Sequence, residues 1–368
     1  MNKKFLKNIE WSILICVCIL MIIGDIALYS ATQSTEHDEL IKQLIWLAIS
    51  IPIVIAIIAI DYELLVKAAP VGYGIMLILL VIVLFTKPIN GATSWFIFGP
   101  VSIQPAEFAK IFVILTLALV ISKVQQNDKK ELSKPLKLLL CLLVVIIPVL
   151  LIIKQPDYGT AIAFIIATIF MLYAAGINKK YIFISLALAV VILPVLYFYI
   201  LPDHAKSRID VFLNPDLDPR GSGYNIIQSK LAIGSGQLFG MGVKQGNQTQ
   251  LGYLYPKTTD FIFSVIGEEM GFIIAGLVIV LYVILVTKII YIAKTAKDDK
   301  GAYIAIGIAG IFVFHMVENI GMTMGLLPIT GVPLPFVSYG GSSLLTNLIL
   351  IALVVNISGR RKKSLFIE

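Results

Sequence analysis

Tyr255-Pro256-Lys257-Thr258-Thr259-Asp260-Phe261-Ile262-Phe263-Ser264-Val265-Ile266-Gly267-Glu268-Glu269 is a junction. Before it runs a long polar segment. After it runs an apolar stretch long enough to cross a bilayer, which needs roughly 20 such residues. The junction sets one carboxylate, Asp260, at the rim of a membrane-spanning helix. Working outward, the same apolar length recurs at about 11–31, 40–60, 68–86, 104–122, 136–153, 159–176, 181–200, 262–287, 302–325 and 341–358. Helices are the expected form, because backbone polar groups in lipid must be satisfied within the element. The alternating pattern of a membrane barrel is absent from the sequence. The expectation is an all-α integral membrane protein of about ten transmembrane helices, a single polytopic domain over residues 1–368.

Composition agrees. Of 368 residues, 58% are hydrophobic and only 14% charged, and the mean hydropathy is +0.94, more apolar side chain than a soluble core absorbs. The net charge of +7 invites a nucleic-acid reading, but the charge is divided among many short loops, so no nucleic-acid partner is expected. Lys3, Lys4, Lys7, Lys67, Lys123, Lys129, Lys130, Lys134, Lys137, Lys179, Lys180, Lys288, Lys294, Lys297, Lys300, Arg360, Arg361, Lys362 and Lys363 fall on one side. The short loops 32–39 and 326–340 on the other side carry no Lys or Arg. The positive-inside rule then places both termini in the cytoplasm and leaves one long extracytoplasmic loop, about residues 201–261. The first apolar run is read as a retained helix rather than a cleaved signal. Cys16, Cys18 and Cys141 lie within apolar runs as small hydrophobes, and Cys16-x-Cys18 is not a metal spacing.

Several polar residues interrupt this pattern. Asn90 to Pro100 is an outer loop whose Trp95 suits the membrane interface. Gln104-Pro105-Ala106-Glu107-Phe108-Ala109-Lys110 follows, with Pro105 fitting a first helical turn and Glu107 and Lys110 one turn apart. Ionisable groups inside a membrane are costly and usually face a cavity, so the pair is expected near the outer mouth of the bundle. Asp157, in Gln155-Pro156-Asp157-Tyr158-Gly159-Thr160, reads as a helix cap. Asp260 divides evenly between a cap and a general base. A capping carboxylate is a weaker base, so a basic Asp260 requires Thr258 or Thr259 to do more of the capping. In the long loop, Arg208 and Arg220 flank Asp210, Asp216 and Asp218; Arg208, close to the lipid headgroups, is a candidate phosphate contact. A short helix is expected from Tyr224 to Ile233, with apolar residues suited to the membrane surface. His315, Glu318 and Asn319 share a helical face and are expected in a helix–helix contact rather than a metal site. Glu268 and Glu269 are left open between packing and tuning the site. Pro328 to Gly341, too apolar for a solvent loop, is expected to be re-entrant or to line a cavity.

Taken together, Gln104 to Lys110, Gln155 to Thr160, Gly221-Ser222-Gly223-Tyr224-Asn225-Ile226-Ile227-Gln228-Ser229, Thr259 to Glu269, Asn319-Ile320-Gly321-Met322 and Pro333 to Ser343 resemble the SEDS family (shape, elongation, division, sporulation) of bacterial cell-wall proteins, over essentially the whole chain. Asn319 to Thr323 and Ile329 to Pro333 are more similar to its RodA, or elongation, branch than to the FtsW, or division, branch. The resemblance implies a ten-helix fold in the bacterial cytoplasmic membrane. It implies peptidoglycan glycosyltransfer, with lipid II (an undecaprenyl-pyrophosphate-linked disaccharide peptide) polymerised into glycan strands at the outer face during cell elongation. Asp260 falls on the family's essential aspartate. Gln104, Glu107, Lys110, Asp157 and Arg208 are the candidate substrate-binding residues, and a class B penicillin-binding protein and membrane lipids are the implied partners. Lys110, Arg208 or a divalent cation (Mg2+ or Mn2+) would stabilise the leaving pyrophosphate; no residue is assigned as a metal ligand. One departure stands out: relatives often carry an acid and a His or Gln in the segment that reads Pro256-Lys257-Thr258-Thr259-Asp260 here, and Lys257 is expected to lower the pKa of Asp260. A lipid II flippase or transporter is the alternative function, and a scaffold for the partner enzyme is a third.

Overall fold

The computed structural model describes residues 3–88, 91–99, 101–200, 203–219 and 221–361. Asn90, Pro100, Arg220, Lys362 and Lys363 lie outside the described residues. Each expected apolar stretch is a helix: α1 (Trp11–Ala31), α2 (Asp38–Ala59), α3 (Tyr62–Ile82), α4 (Pro105–Val124), α5 (Pro135–Lys154), α6 (Tyr158–Ala174), α7 (Lys179–Val195), α8 (Ile262–Lys294), α9 (Asp299–Thr323) and α10 (Gly341–Arg360). Seven of them (all but α4, α6 and α7) are long and apolar enough to cross a membrane on their own account. The others fall short for visible reasons. α4 carries Glu107, Lys110 and Lys123, while α6 and α7 are 17 residues each, the short end of a spanning length.

The layers follow from which helices bury their surface. Of the apolar windows of α9 and α10, 78% and 83% is buried, against 11% and 17% for α2 and α3, so the former form the centre and the latter face lipid. α9 packs most extensively on α6 and α8, α10 on α2, α4 on α3, and α1 on α8. Close approach of α9 to α6 depends on Gly310, where an added Cβ would sit 3.0 Å from the Ala167 Cα; small residues let membrane helices approach this way. Three-residue strands Phe96–Phe98 and Val101–Ile103 pair antiparallel in the loop before α4, a local hairpin that the apolar pattern did not signal.

The long segment before α8 is built rather than loose. It holds helices Asp203–Leu213, Ser222–Ser235 and Asn247–Gln250. Ser222–Ser235 contains the expected helix and packs on α8, burying Ile226 and leaving Ile227 and Leu231 exposed. Its Ser229 hydroxyl shares a 2.6 Å bond with Ser264 and another with the Thr323 carbonyl. Glu268 and Glu269 prove to be packing groups. Glu268 accepts from the Gln248 and Thr249 amides and the Thr249 hydroxyl. Glu269 accepts from the Lys244 and Gly246 amides and the Gln250 side chain. Backbone dipoles thus satisfy two buried carboxylates.

At the other end of α8, Lys288 pairs with Glu10 at 3.1 Å and Arg361 with the same carboxylate at 3.3 Å. The two ends of the described chain therefore meet on one face of the bundle, with Asp260 on the opposite face.

Candidate active site

Asp260 lies in the turn that precedes α8 and is partly exposed. It does not cap the helix. The N-cap residue is Phe261, which makes no side-chain capping bond, so neither Thr258 nor Thr259 takes the capping role expected of it. Their carbonyls are used elsewhere: the Tyr339 amide donates to Thr258 at 2.9 Å and the Ser338 hydroxyl to Thr259 at 2.7 Å. Burial raises the Asp260 carboxyl to about 6, against a lowering by the Thr259 hydroxyl and the Arg208 guanidinium. A carboxyl so placed is a better base near neutrality than an ordinary aspartate. Lys257 does not act as expected. Its ammonium donates to the Thr249 carbonyl at 2.9 Å and does not contribute to Asp260.

The loop 324–340 carries this turn. Its backbone is non-helical, half-buried or exposed over 324–331 and buried over 334–338, and its groups are satisfied from several helices, as irregular backbone at membrane depth requires. His315 of α9 bonds the Pro333 carbonyl at 3.1 Å, Gln43 of α2 the Ser338 carbonyl at 3.3 Å, and the Tyr282 hydroxyl of α8 the Pro335 carbonyl. Asn319 bridges turn and loop, donating to the Asp260 carbonyl at 3.0 Å and the Val332 carbonyl at 2.8 Å. The adjacent Glu318 accepts the Thr330 hydroxyl at 2.8 Å. Gly331, between those two loop residues, faces Asp260: its Cβ position lies 3.5 Å from the carboxylate Oδ2.

Arg208, on the helix Asp203–Leu213, reaches over the same loop. Its Nη1 donates to the Ile329 and Thr330 carbonyls at 3.5 and 3.4 Å. It is close enough to act on Asp260 electrostatically, yet the two are not ion-paired.

The remaining candidates form a second group behind the loop. Gln104, at the N-cap of α4, donates to Asp157 at 2.8 Å. Asp157 caps α6 through the Thr160 amide at 3.1 Å, as its turn suggested, and burial raises its carboxyl. Glu107 and Lys110 are ion-paired at 2.8 Å, with side chains 3% and 0% exposed. Thr346 of α10 donates to Glu107 at 3.0 Å. The pair expected near the outer mouth and facing a cavity is buried in the bundle, where each charge offsets the other's desolvation cost. Lys110 therefore has no direct path to a phosphate in this conformation. Arg208 is the cation beside Asp260.

The donor set does not match a cation held by the protein alone. Among the described residues no three His, Cys, Asp or Glu side chains converge, and the charged neighbour of Asp260 is itself a cation.

Glu318 and Asn319, expected in a helix–helix contact, instead bond the loop, and Thr330 joins them there. Asn319 and Glu318 carried a signal as polar groups near the end of a buried helix, but their partners are set by the path of the loop.

Comparison with known proteins agrees with this architecture. The FtsW/RodA/SpoVE cell cycle protein model matches residues 9–363. The chain is 34% identical to the peptidoglycan glycosyltransferase MrdB of Escherichia coli strain K12, covering 98% of this chain and 97% of the relative. It is 39% identical to the probable peptidoglycan glycosyltransferase FtsW of Trichlorobacter lovleyi, covering 98% and 96%. It is 30% identical to the peptidoglycan glycosyltransferase RodA of Treponema pallidum, covering 98% and 100%. Among solved structures, a chain of a peptidoglycan synthase complex that coordinates polymerization and crosslinking superposes with a TM-score of 0.81 at 25% identity, over 97% of this chain and 99% of that one. A mutant of the rod shape determining protein RodA of Thermus thermophilus superposes with a TM-score of 0.72 at 25% identity, over the same shares. By a family match over nearly its whole length, this multi-pass membrane chain belongs to the FtsW/RodA/SpoVE family.

Proposed function

We propose that the protein is a peptidoglycan glycosyltransferase that polymerises lipid II at the outer face of the cytoplasmic membrane. One observation carries the reading: a partly exposed carboxylate, raised to about 6, stands beside a guanidinium that leaves it unpaired. In the proposed step, Asp260 takes the proton of the acceptor sugar's 4-hydroxyl as that oxygen attacks C1 of the donor sugar. The C1–O bond to the undecaprenyl pyrophosphate breaks, the anomeric centre inverts, and the pyrophosphate leaves with the bonding pair. This leaving group needs charge stabilisation rather than a proton, and Arg208 supplies it. Gln104, Asp157, Glu107 and Lys110 act from behind, fixing α4, α6 and α10 around the loop. A cavity of about 490 Å³ between α5, α6 and α7, lined by apolar side chains such as Leu142, Val149 and Ile169, supports a substrate with long hydrocarbon chains.

The RodA-like motifs at Asn319 to Thr323 and Ile329 to Pro333 support a role in elongation, with a class B penicillin-binding protein as partner. A divalent cation brought by the pyrophosphate remains part of the proposal, since Mg2+ is often held by a single carboxylate plus substrate phosphates.

Purified protein given lipid II in detergent is expected to make glycan strands, and Asp260→Asn is expected to abolish them. Strand synthesis by Asp260→Asn at the wild-type rate would overturn the reading. Transport of labelled lipid into sealed vesicles with no strand synthesis would replace it with a flippase.

A further inference from the structure

We propose that Glu318 is a positioning residue for the Asp260 site, acting through Thr330 to keep the Arg208 guanidinium on the loop carbonyls and off the Asp260 carboxylate. This rests on the glycosyltransferase reading above. Two consecutive residues of α9 grip the loop on either side of Gly331: Glu318 takes the Thr330 hydroxyl at 2.8 Å, and Asn319 takes the Val332 carbonyl at 2.8 Å. From the opposite side α6 presses on the same point, where a Cβ at Gly159 would lie 3.3 Å from both Cβ and O of Thr330. Thr330 is thus clamped. Its carbonyl direction, which receives Arg208 at 3.4 Å, is set by the clamp.

Glu318 is 7% exposed and makes no salt bridge among the described residues. A buried carboxylate without a cation is costly, so packing alone does not account for an acid here. Nor does it act on Asp260 by charge. Of the charged side chains on the elements around Asp260 (Lys257 in its own loop, Asp157 of α6, Glu318 of α9 and Arg208), only Arg208 affects the Asp260 carboxyl. The influence of Glu318 therefore passes through the hydrogen bond and the backbone. When the clamp is released, Thr330 turns, Arg208 loses its carbonyls, and the guanidinium closes on Asp260, whose carboxyl it already acts on. An adjacent Arg lowers an aspartate pKa by about 1–3 units, which makes a poorer base and occupies the cation meant for the leaving group.

The test measures polymerisation of lipid II against pH in detergent for wild type, Glu318→Gln, Glu318→Leu, Thr330→Val and the Glu318→Leu/Thr330→Val double variant. Gln keeps an acceptor oxygen and is expected within about twofold of wild type. Leu and Val are each expected to lose about tenfold, the order of one hydrogen bond to a charged group. The acid limb should move down by about one pH unit. The double variant should be no worse than either single one, because both cut the same link. Carbodiimide labelling of Asp260 against pH, read by mass spectrometry, reports the same shift without turnover. Equal loss in Gln and Leu, additive losses in the double variant, or an unmoved labelling midpoint would each overturn the inference. If wild type makes no polymer, the glycosyltransferase reading fails while labelling still decides the role of Glu318. If Glu318→Leu loses its fold by thermal melting, Thr330→Val carries the comparison.

Discussion

At the scale of single residues, the proposed site is one base, Asp260, and the groups that aim it. With the Asp260 carboxyl at about 6, it is protonated below that pH and unable to accept a proton. The rate of glycan synthesis should therefore rise as pH passes upward through about 6 and level off above it; a profile flat from pH 5 to 8 would exclude Asp260 as the base. The sign for stability is opposite. A carboxyl whose folded pKa is raised contributes stability below its unfolded value of 3.8, and that contribution is lost as pH climbs through about 6. Asn319 gives a second test. Asn319→Leu leaves the Asp260 and Val332 carbonyls without their donor and should cost about 1–3 kcal/mol, readable as a lower melting temperature in detergent. The sequence marked Asp260 because a lone acid at the start of an apolar run is conspicuous. It did not reveal that the acid is uncapped, since capping depends on where a loop some 70 residues later in the chain passes.

At the scale of elements, α8 and the α4–α10 contact decide how firmly the site is held. α8 is broken at Gly271, where φ is +77°, a conformation open to glycine and strained for other residues. The break lets the amides of Met241 and Gly242 donate to the Glu268 and Glu269 carbonyls, and an added Cβ at Gly271 would meet the Gly240 nitrogen at 2.2 Å. Periodicity gave no warning of this, because the residues on both sides are apolar. The Glu107–Lys110 pair was legible as a one-turn spacing, but its sealing by α10 was not, because local spacing carries no record of which helix packs alongside. That burial sets a thermodynamic cycle. Glu107→Leu or Lys110→Met alone leaves one uncompensated charge and should cost about 3–5 kcal/mol, whereas the double variant should recover most of it. Equal destabilisation by single and double variants, measured by thermal melting in detergent, would mean the pair is not coupled.

At the scale of the whole molecule, ten apolar stretches became ten helices because hydrophobic length in a membrane is a strong, local constraint. How those helices pack and how the segment before α8 folds were set by apolar side-chain packing and buried polar contacts between distant parts of the chain. The same geometry fixes sidedness once one face is known. The part of α8 that follows its break at Gly271 runs to Lys294 and at 1.5 Å per residue spans roughly 35 Å, enough to cross a hydrocarbon core of about 30 Å, so its ends project on opposite sides. Asp260 precedes one end, and Lys288 near the other pairs with Glu10, which also binds Arg361. The two ends of the described chain therefore share the face opposite Asp260, and by the positive-inside rule we propose that the Lys-rich loops on their side face the cytoplasm. Two exposed loop residues test this. In a Cys18→Ala background, where Cys16 and Cys141 are buried, Tyr253→Cys lies on the Asp260 side and Asn127→Cys on the terminal side. A membrane-impermeant maleimide added to intact cells should label Tyr253→Cys and reach Asn127→Cys only after lysis. The reverse pattern would turn the catalytic face inward, where the growing strand has no wall to join.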